Sequence, residues 1–442
     1  LDEGLRSFVE RAAGARVAGS TRIGTGASRA TWRVVLATGA ECVLRADTGD
    51  GPMAGTPLTL AREAVAYEAL RESAVPIPRL VAVKPEGDAL LVEWAAGTES
   101  LEGLDPAARA RVMDGYVDAL AALHDVDASR LALPGFARPE PRDPARAELA
   151  LWRGVLDARI RRPAPLARFA FAWLARNAPR HAGRIALCHG DVGPGNFLHA
   201  EGRVTALLDW EFAHLGDPLD DLGWLAFRGH HLKDGIGDLD AQLARWSART
   251  GLPAERRRIA WYRALVMLRM WVSCQAALDS GAASLDRTVY FSLAALLGLL
   301  LPRALADLAG VPLPPPPEPP DARPSEDAEV LASLASDLAG VVLPALPPAA
   351  QARARGSLLL LRHLEAADRY GAAVRGAERE LIAAALGRDE ADPLRALAER
   401  VAAAPAAEDE RWIRLFAELG ARRLALWPYL AGLAAKPLAE LR

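Results

Sequence analysis

Lysine is nearly missing from this chain. The sequence holds 53 lysines and arginines together, yet only Lys84, Lys233 and Lys436 are lysines. Any role that chemistry gives to a cation therefore falls on these three or on arginine. Cysteine is scarce as well. Cys42, Cys188 and Cys274 are far apart, odd in number and form no Cys-x-x-Cys pair. That excludes a disulfide framework and a structural zinc site and fits a reducing, cytoplasmic setting. No basic start followed by an apolar run and a cleavage site opens the sequence, so no signal peptide is expected. The most apolar stretch, residues 291–301, falls short of the roughly 20 residues a bilayer demands. It reads as a buried helix, with no membrane association. A basic excess is also lacking: the net charge is −3 and the pI about 6.3, which argues against a nucleic-acid partner.

What is present is ample core material. Hydrophobic residues make up 51% and charged residues 25% of the 442, as in a globular protein of two or three domains. The proline-dense run at residues 311–323 cannot continue a helix and reads as a semi-rigid linker. Before it, residues 30–36 and 41–45 read as a β-hairpin, residues 60–72 as a helix, and 80–83 with 89–94 as another strand pair. Asp105 and Pro106 mark the start of a helix reaching residue 123. Residues 185–188 and 204–209 read as two short strands holding a polar loop between them. Past the linker, helical spacing recurs at 328–343, 349–370, 377–386, 393–403 and 408–426. The expected organisation is α+β: residues 1–94 a β-rich lobe, 95–310 a helical lobe, 311–323 the linker, and 324–442 an all-α bundle.

Chemistry concentrates in one stretch, His189-Gly-Asp-Val-Gly-Pro-Gly-Asn196, followed by Leu207-Leu-Asp-Trp-Glu-Phe212. Phosphoryl transfer needs a carboxylate to take the proton of the attacking hydroxyl, and cations to hold the phosphates. Asp191 is the candidate base. Asn196, across a Gly- and Pro-rich turn, offers an amide oxygen. Asp209 at a strand end offers a carboxylate, and Glu211 is a further candidate ligand. Oxygen donors of this kind suit Mg2+.

The pattern H-G-D-x-x-x-x-N, followed by a strand ending in D-x-E, resembles the aminoglycoside phosphotransferase and choline kinase family, which has a two-lobed protein-kinase-like fold. The resemblance implies an ATP- and Mg2+-dependent kinase. It makes Asp191 the catalytic base, with His189 in support of the catalytic loop, and Asn196 and Asp209 the metal ligands. Asp221, in Leu215-Gly-Asp-Pro-Leu-Asp-Asp-Leu-Gly223, would brace that loop. Gly24 and Gly26 would belong to a shortened phosphate loop. Arg45 stands where the fold usually has its phosphate-binding lysine, with Glu63 as its partner, and Val92-Glu93-Trp94 would meet adenine. No A-P-E and no long segment follows Asp209, so a small-molecule hydroxyl acceptor is expected, not a peptide.

The string from Leu207 to Pro218 is most similar to kinase-like domains that are fused to or travel with acyl-CoA dehydrogenases. That resemblance implies a hydroxyacyl-CoA or hydroxy acid as acceptor. Residues 144–178 and 253–280 are expected to shape its pocket, the second being rich in arginine (Arg256, Arg257, Arg258, Arg263, Arg269). An aminoglycoside acceptor and a catalytically silent nucleotide-binding regulator are the alternatives. For the helical tail, a homodimer contact and an acyl-CoA enzyme partner both stay open.

Overall fold

A computed structural model describes residues 1–23, 29–180, 183–232, 236–281, 287–320 and 325–441. The chain divides into two compact units. The first comprises Leu1–Ala158, Ala178–Val266 and Ala439–Arg442; the second comprises Arg159–Asn177 and Met267–Leu438. This division does not follow the proline run. Residues 311–320 carry neither helix nor strand, as proline requires, yet the residues grouping with the tail begin well before them.

The first unit opens with α1 (Glu3–Ala13), capped by the Asp2 carboxylate and closed by Gly14 in the left-handed region. A five-stranded antiparallel sheet follows: β1 (Val17–Arg22), β2 (Arg29–Leu36), β3 (Glu41–Asp47), β4 (Leu80–Val83) and β5 (Ala89–Glu93), in the order β1-β2-β3-β5-β4. Helix α1 and strand β1 go beyond the hairpin and strand pair expected from sequence. Strand period decides which residues the sheet buries. On β3, Cys42, Leu44 and Ala46 alternate into a core with Phe8, Val9, Val34 and Leu91. Arg45 therefore points to the other face. Its β5 neighbour in register is Leu90. Helix α2 (Leu60–Leu70), capped by the Thr59 hydroxyl, buries Glu63 along with Leu60, Tyr67 and Leu70.

Helix α3 (Pro106–Asp125) starts at the Asp105 cap with proline in its first turn. Helix α4 (Ala145–Arg159) follows, and α5 (Pro165–Arg176) belongs to the second unit. Four short strands then frame the loop at residues 189–196: β6 (Ala186–Cys188), β7 (Phe197–Ala200), β8 (Arg203–Leu207) and β9 (His214–Gly216). The two apolar runs flanking the loop do not pair with each other. Strand β6 pairs with β9, and β7 with β8. The loop is thus held between two separate ribbons. Beyond lie α6 (Leu219–Trp224), a π-helical stretch (Leu225–Leu232), α7 (Leu239–Thr250) and α8 (Arg256–Asp279).

The second unit is helical: α9 (Arg287–Ala309), α10 (Ala328–Asp337), a π-helical turn (Leu338–Val342), α11 (Leu343–Ala345), α12 (Pro348–Leu386), α13 (Pro393–Ala402) and α14 (Asp409–Arg423). The two helices expected at 349–370 and 377–386 are one, α12, running unbroken through Gly371 and Gly376. Helices α9 and α14 cross closely at two glycines. A Cβ on Gly420 would stand 2.7 Å from the Gly298 carbonyl oxygen. Among the described residues, two stretches, Arg287–Ala309 and Ala328–Ala345, are long and apolar enough to cross a membrane by length and composition. Over half of the first is buried in the protein, and little of the second is.

Candidate active site

The loop at residues 189–196 leaves β6 at Cys188 and is pinned by one buried carboxylate, that of Asp221. Asp221 on α6 accepts from the backbone N–H of His189 (2.8 Å) and of Gly190 (2.9 Å). Burial works against its charge, but the hydrogen bonds from His124 and the Gly190 N–H outweigh it, holding the Asp221 carboxyl below its usual range. His124 is oriented in turn. The Trp246 indole N–H donates to Nδ1 (2.9 Å), which leaves Nε2 to donate to Asp221 (2.9 Å). The cluster His124, Cys188, Asp221 draws three potential metal ligands together. Both imidazole nitrogens are already spent, however, and burial pushes the Cys188 thiol up. This is a brace, not a metal site.

Gly190 makes the turn that the loop needs. Its φ is +80°, and a Cβ there would lie 2.1 Å from the Phe212 carbonyl oxygen. His189 is fully buried. Its Nε2 donates to the Leu208 carbonyl (2.8 Å), and its Nδ1 accepts from the Asp191 N–H (3.3 Å). Both nitrogens serve the loop, so His189 supports it and has none left for substrate. Farther along, the Gly193 N–H donates to the Tyr116 hydroxyl on α3 (2.9 Å).

Asp191 is held on both carboxylate oxygens. Asn196 Nδ2 donates to Oδ2 (2.6 Å) and to the Asp191 carbonyl (2.8 Å). On the other side, Arg228 donates to Oδ1 (2.6 Å) and to the same carbonyl (3.1 Å). Sequence reading missed Arg228. The signal was faint: a single arginine inside the apolar run Leu225-Ala-Phe-Arg228, 37 residues from its partner.

The second centre gathers around Arg45. Its guanidinium forks between Glu63 on α2 and Asp209, 2.9 Å away at Oδ1. A lysine carries a point charge and lacks this planar fork. Asp209 has φ +64°, left-handed although it is not glycine, a conformation that costs of order 1–3 kcal/mol and clusters at functional sites. Burial opposes the charge on Asp209, but Arg45 outweighs it and keeps the carboxyl below its usual range. The neighbouring acids go the other way. Burial pushes Glu63 up to about 7, with Arg45 countering. Burial and the charge of Asp209 push Glu211 up to about 8. Glu211 Oε2 is buried and accepts no hydrogen bond among the described residues.

This donor set fits a hard divalent cation. Asp209 keeps its second carboxylate oxygen, Asn196 spends only its amide nitrogen, and Glu211 holds an orphaned buried oxygen. All are oxygen ligands of the kind Mg2+ selects.

The other expected residues are more dispersed. Gly24 and Gly26 lie outside the described residues. Glu93 ends β5, and its carboxylate pairs with Arg79 at 2.5 Å. Trp94 is exposed, with the Arg33 guanidinium 4.8 Å over its ring, and its N–H donates to the Glu41 carbonyl (3.3 Å). The arginines of α8 do not form one basic face. Arg258 is ion-paired to Asp217 and Glu255, and Arg256 to Asp240. Arg263 and Arg269 are buried.

The fold has counterparts in known proteins. The fold is shared with a candidate aminoglycoside phosphotransferase of Ralstonia eutropha JMP134, at TM-score 0.51 and 24% identity, covering 68% of this chain and 95% of that one. It is shared too with a choline kinase of Streptococcus pneumoniae, at TM-score 0.50 and 17% identity, covering 70% and 100%. Among curated proteins, acyl-CoA dehydrogenase family member 11 of Rattus norvegicus is 30% identical over 152 residues, 31% of this chain. Family member 10 of Mus musculus is 28% identical over 210 residues, 45% of this chain. Each match takes in only 19% of the relative's own length. The profile of the phosphotransferase enzyme family matches residues 20–262, the stretch that holds β2 to α7 and every site residue described above. More than half of the sequence lies within that match, and this chain belongs to the phosphotransferase enzyme family.

Proposed function

We propose that this chain transfers the γ-phosphoryl group of ATP to a hydroxyl of a small molecule, with Mg2+ bound by Asp209, Asn196 and Glu211. The observation that carries the reading is the double hold on Asp191, whose carboxylate is fixed next to Asn196 while Arg45 fixes Asp209. As the acceptor oxygen bonds to the γ-phosphorus, the bond from that phosphorus to ADP breaks. Asp191 takes the proton of the acceptor hydroxyl. Arg45 steadies the phosphates and Asp209 together. A bound Mg2+ would neutralise charge on the phosphate oxygens.

For the acceptor we favour a hydroxyacyl-CoA or a hydroxy acid over an aminoglycoside. Support comes from the curated relatives, which carry the acyl-CoA dehydrogenase name over a length that this chain matches only in part. A guanidinium beside the base, at Arg228, also suits an anionic acceptor better than a polycation. The helical second unit is then the place for a second copy or an acyl-CoA enzyme to dock. Three free, buried cysteines support a cytoplasmic setting.

The test is phosphate transfer from MgATP to a panel of hydroxyacyl-CoAs, free hydroxy acids and aminoglycosides, read by mass spectrometry. Asp191→Asn should lower transfer by about 10²–10⁴-fold while leaving ATP binding intact. Transfer only to aminoglycosides would replace the acceptor class. ATP binding with neither transfer nor hydrolysis would make this a silent regulator.

A further inference from the structure

We propose that Arg228 is a positioning residue for the base, supplying from a helix the cation that the catalytic loop lacks. The inference rests on Asp191 being that base. From Asp191 to Asn196 the loop reads Asp-Val-Gly-Pro-Gly-Asn, with no cationic side chain. Arg228 fills the gap from the π-helical stretch Leu225–Leu232. One nitrogen of its guanidinium grips Asp191 twice, at Oδ1 (2.6 Å) and at the main-chain carbonyl (3.1 Å). The other reaches the Pro194 carbonyl (3.4 Å).

The loop is shaped to admit this side chain. A Cβ on Gly193 would stand 3.0 Å from Arg228 Cδ and 3.1 Å from Cγ, and Gly193 has φ +153°. The aliphatic stem therefore lies close over Gly193, where a Cβ would press on it. Arg228 and Asn196 take one carboxylate oxygen each, so rotation of the Asp191 carboxylate about χ2 breaks a charge-assisted hydrogen bond whichever way it turns. A base must sit within hydrogen-bond reach of the proton it takes, and an ångström of misplacement can cost about 100-fold in rate. Both side chains are mostly shielded from solvent, Arg228 at 19% and Asp191 at 17% exposure, so the pair is poorly screened.

The experiment uses the full chain and MgATP hydrolysis, with water standing in for the acceptor hydroxyl, and the acceptor as well once the panel identifies one. Arg228→Met should lower kcat by about 100-fold with the KM for MgATP unchanged and the melting temperature near that of the native protein. Arg228→Lys, which keeps the stem against Gly193 and a single donor, should recover part of the loss. If the methionine variant fails to fold, the lysine variant carries the comparison. The decisive arm is the double variant. Should Arg228 act through Asp191, Asp191→Asn with Arg228→Met will be no slower than Asp191→Asn alone. Additive losses in the double variant, full activity in Arg228→Met, or a raised acceptor KM at native kcat would each overturn the proposal. An Asp191→Asn protein that turns over at the native rate would instead sink the assignment of the base, and this inference with it.

Discussion

At the Mg2+ site proposed above, proton competition should govern affinity. Glu211 lies two residues past Asp209, with its Oε2 buried and unpartnered, and its carboxyl is pushed up to about 8 by burial and by Asp209. A cation can use that oxygen only after the proton leaves. Near pH 6 about one Glu211 in a hundred is ionised, and near pH 8 about half, so apparent Mg2+ affinity should rise about 50-fold across that span. Asp209 contributes nothing to this slope, because Arg45 already holds it below its usual range. Glu63, pushed up to about 7, contributes less, since it faces Arg45. The sign for stability runs opposite. The folded state keeps a proton on Glu211 that the unfolded chain releases near its ordinary value, so the metal-free protein loses stability as pH climbs from that value to about 8. Added Mg2+ should therefore raise the melting temperature more at alkaline than at acid pH. The assay is calorimetric titration of the nucleotide-free full chain with Mg2+ at about pH 6, 7 and 8, with melting curves alongside. Glu211→Gln should flatten the dependence. Equal affinity at the two ends of the range, or an unchanged slope in the glutamine variant, would refute the reasoning.

Two further outcomes follow from the same geometry. Arg45→Met strands the fully buried Glu63 without its partner and should cost about 3 kcal/mol in urea unfolding; adding Glu63→Gln should return much of that. Gly190→Ala sets a Cβ against the backbone at Phe212 in a conformation that alanine resists, so it should lower stability by at least about 3 kcal/mol, as thermal melting would show, whereas Gly193→Ala meets only the flexible stem of Arg228 and should cost less.

The site was legible where chemistry is local in sequence. His189, Asp191 and Asn196 lie within one turn, and Asp209 ends the next apolar run, so spacing alone gathers them. Arg45 and Glu63 were expected as partners through the family resemblance, and the structure brings them together. Arg228 was not legible, because its meaning depends on a helix folding back across 37 residues to a glycine that leaves room for its stem. His124 and Trp246 were hidden for the same reason: their hydrogen bonds join α3, α7 and Asp221. Strand partners were not legible. The runs at 185–188 and 204–209 read as strands flanking a loop, but the ladders they join are completed by β9 and β7, two short strands that the sequence did not announce. In the tail, two helices were expected at 349–370 and 377–386, but α12 continues through the glycines at 371 and 376 between them; propensity costs of about 1 kcal/mol per glycine are small against tertiary packing.

The first unit has a seam at residues 439–441. The buried Arg263 guanidinium donates to the Ala439 carbonyl at 2.5 Å, and Leu441 is buried at 2% exposure. Ribosomes deliver a chain from its N-terminus, and domains usually fold as they emerge. Here the catalytic loop, Arg45 and Arg228 are all made long before the segment that finishes their own unit. A nascent kinase unit must wait, with a charged side chain lacking that acceptor, while the whole helical stretch of the second unit is translated. Completion of the first unit is thereby tied to residues that follow the second in sequence, and a chain cut short beyond the proline run would keep Arg45, Asp191 and Arg228 but lack the segment that Arg263 meets.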